Sequence, residues 1–386
     1  MTVTATPSNV ASVLPKAEAR RDEIPSLTGL RGVAAWLVVI AHTSSFFVAM
    51  QPGWLDYTWR VGANLGMTTF FVLSGFVIHY NYGAAIRVKG APAISSFLIA
   101  RFARLYPLYV LTLLITIALS PSIVRQGVFW QWCWRYLTMS QTWTPTLLDG
   151  KTLEALYVGV AWSISTEVGI YLFYLFVAVP LDGLRTTRST LFSIGLLAIA
   201  GTIIIGGYAS GLWFGGLALP GWWFYSSPIA RAPEFLLGAL IAQLYLVDPD
   251  LPSTRLLGIA GLSWIVAAFA ASWVYPNFQH SFGFAPGIAA VMFFLARHRG
   301  GVALLLATPV MRVLGDASYS IYMLHGIVLS YVMWHSPYLP TPLRIALAWG
   351  LIILLSAAIY RYFEAPARRW IRALASRPRR RVLRTT

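Results

Sequence analysis

A histidine deep inside an apolar stretch is the first residue of this sequence that asks for a chemical explanation. In SLTGLRGVAAWLVVIAHTSSFF (26–47), Arg31 stands at the entrance and His42 lies eleven positions on. On an α-helix that spacing is almost three turns, so both side chains share one face, with a rise of roughly 16 Å between them. A hydrocarbon core is about 30 Å thick, which leaves His42 near mid-depth if Arg31 sits at a headgroup layer. Ionisable groups at that depth are costly and are functional candidates by default. Imidazole is also the side chain best suited to take and return a proton near neutral pH.

Other polar residues in apolar surroundings join it. Glu167 lies in WSISTEVGIY, with Ser163 one turn before it and Tyr171 one turn after. A carboxylate there must be protonated, paired or facing water, and its expected role is to orient or polarise His42, with an arginine ion pair as the structural alternative. In RFARLYP (101–107), Arg101 and Arg104 are three apart and share a face if the helix begins early. They suit the clamping of phosphates on an anionic cofactor, although a positive-inside bias also accounts for them. GDASYSIYMLH (315–325) places Ser318, Tyr322 and His325 on one face. Ser163, Tyr322 and His325 are the expected substrate-binding residues, set against plain polar packing between helices. Arg231 and Glu234, three apart in RAPEFLLG, read as a mutual pair. His79, His280, His298 and His335 fall near span ends or in loops and need no special role. No GxSxG, HExxH, GxGxxG or P-loop occurs, and Asp248-Pro249-Asp250 reads as a turn. The lone Cys133 excludes an intrachain disulfide and any CxxC site. The chemistry expected here needs no metal.

The elements that must position these residues are membrane helices. The chain of 386 residues is 58% hydrophobic and only 11% charged, with a mean hydropathy of +0.66. A soluble domain carries about 25% charged residues, so the expected fold is all-α, a polytopic membrane bundle of about ten transmembrane helices. The spans read as 30–50, 66–83, 105–123, 161–180, 190–209, 232–247, 257–275, 283–297, 313–334 and 345–363. Basic residues concentrate in alternate loops and in the C-terminal tail, which places both termini in the cytoplasm. The formal charge of +16 then faces anionic lipid headgroups or a polyanionic cofactor, and no nucleic acid is expected. Residues 1–26 form a polar segment without a signal-peptide core, so the first span is expected to be its own insertion signal. Residues 27–365 form the membrane domain and 366–386 a basic tail. Aromatic stretches at 129–143 and 213–225 suit interfacial anchoring, or stacking on sugar rings. A transporter of glycolipids is the rival from another class, though no inverted repeat is evident.

Taken together, LTGLRGVAAWLVVIAH (27–42), FFVLSGFVIHY (70–80), RFARLYP, WSISTE (162–167), RAPEFLLGAL (231–240) and GDASYSIYMLH resemble the acyltransferase 3 family of bacterial membrane O-acyltransferases. They fall in order from about Leu27 to Glu364. The resemblance maps that family's Arg and His signature, regarded there as catalytic, onto Arg31 and His42. It implies a cytoplasmic acetyl-CoA or other short-chain acyl-CoA donor. It also implies a carbohydrate acceptor (a polysaccharide, lipid-linked glycan or glycosylated metabolite) and residence in the bacterial cytoplasmic (inner) membrane. Family members often carry an extra extracytoplasmic domain that completes transfer; none is expected after the last span here, which counts against a mechanism that needs one. On this footing Arg101 and Arg104 hold the donor phosphates, and Arg31 holds the donor or steadies developing charge. His42 acts as general base or as nucleophile, and Glu167 fixes its tautomer. WSISTE has one acidic residue where the commoner form has two.

Overall fold

A computed structural model of the chain describes residues 21–47, 53–148, 151–153, 157–212, 220–252 and 254–376. Long apolar runs dominate the sequence, and in lipid a backbone must satisfy its own polar groups; the chain answers with helices. In order they are α1 (Pro25–Phe47), α2 (Gly53–Lys89), α3 (Ala91–Leu119), α4 (Gly127–Leu137), α5 (Trp162–Asp182), α6 (Thr187–Ala209), α7 (Pro220–Tyr225) and α8 (Pro228–Val247). There follow α9 (Arg255–Val274), α10 (Ala285–Arg297), α11 (Val302–Leu306), α12 (Pro309–Asp316), α13 (Ser318–His335), α14 (Thr341–Ile359) and α15 (Ala365–Ser376). The only described strands are a two-residue hairpin, Leu147–Leu148 paired with Lys151–Thr152.

Each of the ten expected spans overlaps a helix among the described residues. Among the described residues, eight helical segments are long and apolar enough to cross a membrane. The remaining two are α10, with 13 residues, and α13, with 18. Two boundaries move in ways that matter. The α2 helix has 37 residues, roughly 55 Å at 1.5 Å per residue, so His79 is not near its end. After α14 the backbone passes through a π-turn at Tyr360–Glu364 and continues as α15, which carries Arg368, Arg369 and Arg372. The first part of the expected basic tail is therefore helical. Its remaining arginines, Arg377 to Arg384, lie outside the described residues, as do Lys16, Arg20 and the aromatic residues at 213–214.

The centre of the bundle is α2, packed against α1, α3, α5 and α8. Its crossing with α8 depends on two glycines. A Cβ added at Gly75 would lie 1.9 Å from the Phe235 carbonyl oxygen, and one at Gly238 would lie 1.9 Å from that of Val72. Small residues let membrane helices approach backbone to backbone, where packing replaces the missing hydrophobic drive. Gly75→Leu or Gly238→Leu is therefore expected to destabilise the detergent-solubilised protein by about 1–3 kcal/mol or more. Gly350, where an added Cβ would meet nothing within 4 Å, should accept alanine unchanged. Thermal unfolding followed by size-exclusion chromatography would compare them, and equal melting points would remove the close-crossing argument.

Candidate active site

Two elements bring the histidines together. The α1 helix carries Arg31 and His42, and α13 packs along it. The His42 ring is half-buried and the His325 ring is buried completely. Their centroids are 4.9 Å apart and inclined at 48°. His325 Nδ1 lies 2.6 Å from the Tyr322 carbonyl oxygen. A carbonyl can only accept, so that nitrogen carries the proton and His325 Nε2 holds a lone pair. His42 Nδ1 faces that lone pair at 3.2 Å and the Val38 carbonyl at 3.0 Å. Both partners are acceptors, so both assign the His42 proton to Nδ1. The remaining nitrogen, His42 Nε2, is left with a lone pair and can take a proton or attack a carbonyl carbon.

Ser163 and Tyr322 stand beside this pair. The Ser163 hydroxyl donates to the Tyr322 oxygen at 2.8 Å, and the Tyr322 hydroxyl donates to the Val160 carbonyl at 2.8 Å. The two side chains thus tie the start of α5 to α13, with both hydroxyls already engaged.

Below His42 on α1, Arg31 begins a group of charges. Its Nε donates to the Gly315 carbonyl at 2.9 Å, and its Nη2 lies 3.6 Å from Asp316. Arg104 lies 3.7 Å from Glu364, whose side chain is 1% exposed and which also accepts from Ser320 at 2.7 Å. The ion partner of Arg31 is Asp316, and that of Arg104 is the buried Glu364. Because α3 begins at Ala91, ten residues before Arg101, the two arginines of RFARLYP do occupy one helix face. Their neighbours differ. The Arg101 guanidinium lies 5.5 Å from the Tyr82 ring, and its Nε has no hydrogen-bond partner.

Glu167, expected to orient His42, is hydrogen-bonded to other groups. Glu167 accepts from the Ser74 hydroxyl at 2.7 Å and from the Tyr171 hydroxyl, and its charge is felt by Arg101. Its hydrogen bonds run to α2 and along its own helix, whereas His42 faces α13. The groups that set the His42 tautomer are the Val38 carbonyl and His325.

His79 also departs from expectation. It is fully buried, with Nδ1 2.9 Å from the Tyr174 hydroxyl and Nε2 3.0 Å from Gln243 Oε1. Gln243 in turn donates to the Leu184 carbonyl at 2.6 Å, so this histidine locks α2 and α8 to the turn after α5. Arg231 and Glu234 form the expected pair, at 3.0 Å and with no exposure. The buried Glu364 is not among the expected residues. Its only signal is a single acid between an apolar span and a basic segment, and the π-turn that turns it inward has no sequence mark. Among the described residues, no group of three His, Cys, Asp or Glu side chains could hold a metal ion.

Comparison with known proteins agrees with the six motifs. An acyltransferase domain, that of the acyltransferase 3 family, matches residues 24–361. A Staphylococcus aureus (strain COL) protein bearing the name "Putative O-acetyltransferase" is 26% identical over 92% of this chain. The chain spans 59% of that relative's length. Acyltransferase MdmB of Streptomyces mycarofaciens is 26% identical over 80% of this chain and 79% of its own. A Rhizobium radiobacter protein, protein 2 in the picA locus, is 44% identical over 22% of this chain and 40% of its own. No solved structure matches. With the family's domain covering the chain from before Arg31 to beyond α14, this protein belongs to the acyltransferase 3 family.

Proposed function

We propose that the protein transfers an acyl group, acetyl in the simplest case, from cytoplasmic acyl-CoA to a hydroxyl of a carbohydrate-containing acceptor. That acceptor would be a surface polysaccharide, a lipid-linked glycan or a glycosylated metabolite. The observation that carries this reading is the hydrogen bond from His42 Nδ1 to His325 Nε2, which frees His42 Nε2 on the same helix that bears Arg31. The names of the staphylococcal relatives support acetyl as the group, and the family supports acyl transfer.

In this reading Arg101 and Arg104 hold the donor phosphates by charge-assisted hydrogen bonds, and Arg31 receives the thioester end. The acceptor oxygen attacks the thioester carbonyl while His42 Nε2 removes its proton. The C–S bond then breaks, and the proton passes to the departing thiolate. His325 and the Val38 carbonyl fix the His42 tautomer, and His325 stabilises the Nδ1–H bond as charge develops on the ring. Glu167 belongs with the donor side, near Arg101, and Ser163 with Tyr322 keeps α13 in register against α5. The chain would sit in the cytoplasmic membrane of a bacterium with both termini inside, and Arg368, Arg369 and Arg372 of α15 would meet anionic headgroups.

His42→Ala is expected to lower acyl transfer by about 10²–10⁴-fold while membrane insertion is retained. Transfer to an acceptor pool from radiolabelled acetyl-CoA, measured in isolated membranes, would test it, and near-normal turnover would remove His42 from the reaction. An acylated enzyme accumulating without acceptor would make His42 a nucleophile instead of a base. Reversing charge with Arg101→Glu or Arg104→Glu should raise the KM for acetyl-CoA by about tenfold or more, the loss of one charge-assisted bond, with a smaller effect on acceptor use. A donor titration that does not move would return these arginines to topology alone.

A further inference from the structure

Away from the histidine pair, a second set of polar atoms is buried without enough partners. Arg231 and Glu234 lie in the first turns of α8, and both side chains are 0% exposed. Arg231 Nη1 reaches Glu234 Oε1 at 3.0 Å, Arg231 Nε donates to the Tyr225 carbonyl at 2.7 Å, and Glu234 Oε1 also accepts from Thr68 at 2.9 Å. Arg231 Nη2 and Glu234 Oε2 have no hydrogen-bond partner. Arginine and carboxylate often close as a two-bond fork; here one prong is open. Orphaned buried groups of this kind cost about 1–3 kcal/mol each. The rings of Phe71, Trp162 and Tyr225 box the guanidinium at 5.4, 5.7 and 5.5 Å; their faces attract the cation but leave Nη2 without a hydrogen-bond acceptor.

A third orphan lies against the same box. His280 Nδ1 has no partner, and the His280 ring meets Tyr225 edge-on at 5.5 Å. Burial first, and then the charge of Arg231, lowers His280 to about 4, so it is neutral at pH 7. Its neighbour Ser281 donates to the Ala230 carbonyl at 2.6 Å, and the Ser281 carbonyl faces Thr68 at 3.3 Å. Ser281 has φ 52°, a left-handed conformation that a non-glycine residue holds only under constraint. This short turn lies against the Thr68 and Ala230 side of the pair.

The missing partner has a definite chemistry. It must accept from Arg231 Nη2 and donate to Glu234 Oε2. A hydroxyl does both, whereas phosphate groups mainly accept and ammonium groups only donate. We propose that Arg231, Glu234 and His280 form an acceptor subsite that grips a hydroxyl adjoining the one to be acylated. The proposal rests on the acyl-transfer reading above. Position supports it. Trp162 adjoins Ser163, which holds Tyr322, and Phe71 follows Phe70, which lies edge-on to Tyr322 at 5.9 Å. The aromatic box and the His42–His325 pair are thus joined through neighbouring residues of α2 and α5, at the end of α8 that the charge bias of the loops assigns to the outside. A polyhydroxylated ring is the acceptor class that supplies neighbouring hydroxyls.

The test compares cells carrying the intact protein with cells carrying His280→Ala or the doubly neutralised Arg231→Gln/Glu234→Gln. Mass spectrometry of O-acylated glycans and glycosides is one readout, and radiolabelled acetyl-CoA binding to the same membranes is the other. The expected result is a loss of about tenfold or more in O-acylated product with donor binding within about twofold of normal. Unchanged product in both variants leaves only an ordered water at the open prong and overturns the subsite. Product and donor binding lost together in both variants makes the pair a structural strut and overturns it equally. An intact protein that yields no O-acylated product removes the acyl-transfer reading and the subsite with it, whereas active protein with active variants removes the subsite alone.

Discussion

The hydrogen bond between His42 Nδ1 and His325 Nε2 is the interaction on which the rest of this bundle depends. An imidazole placed among apolar helices has two polar atoms to satisfy, and leaving either unmatched is expensive. The α13 backbone solves half of the problem by anchoring His325 Nδ1 on the Tyr322 carbonyl. That constraint passes through His325 to His42 and, together with the Val38 carbonyl, decides which nitrogen of His42 keeps its lone pair. No carboxylate takes part in these contacts, so nothing beside the pair forces it to be charged.

The same economy governs the other polar residues at membrane depth. Several are tied to a partner on a different element: Arg104 to Glu364 of the π-turn, Glu167 to Ser74, and His79 to Tyr174 and Gln243. In a medium without water these ties are the bundle's directional contacts, since apolar packing alone discriminates poorly among helix faces. The glycines at the α2–α8 crossing complement them by bringing the helices close enough for Thr68 on α2 to reach Glu234 on α8. The polar groups therefore do two things together. They hold the helices in register, and they leave a few valences open, at His42 Nε2 and at the unfilled prong of Arg231 and Glu234, where the proposed chemistry and recognition reside.

Some of this arrangement is legible in the sequence alone. The Arg31 and His42 spacing is a property of one helix, so the 3.6-residue period places both on one face without knowledge of neighbours. Arg231 and Glu234 are likewise three apart on a single helix and pair as the spacing suggests. Glu167 shows where that legibility ends. Its intramembrane position is readable, but its direction is not, because a carboxylate on a helix apolar all round can face any of several neighbours. His79 misleads for a different reason: the apolar window ends near it, while the helix itself runs on to Lys89. Glu364 is hidden because the π-turn rotates it inward by a backbone adjustment that leaves no pattern in side-chain type.

What the sequence determined by itself is what depends on local chemistry. Apolar content and period demand a bundle of membrane helices, the charge bias suggests an orientation, and the six ordered motifs point to the acyltransferase 3 family. Helix-to-helix contacts belonged to the tertiary structure alone. It brought His325 to His42 from a residue 283 positions away, gave Glu167 hydrogen bonds to Ser74 and Tyr171, and paired Arg104 with a buried carboxylate. The physical reason is that a helix hydrogen-bonds its own backbone, so its sequence specifies where it forms and which faces are polar. Which of those faces meet is decided by close packing and by polar valences that must be filled where no water can fill them.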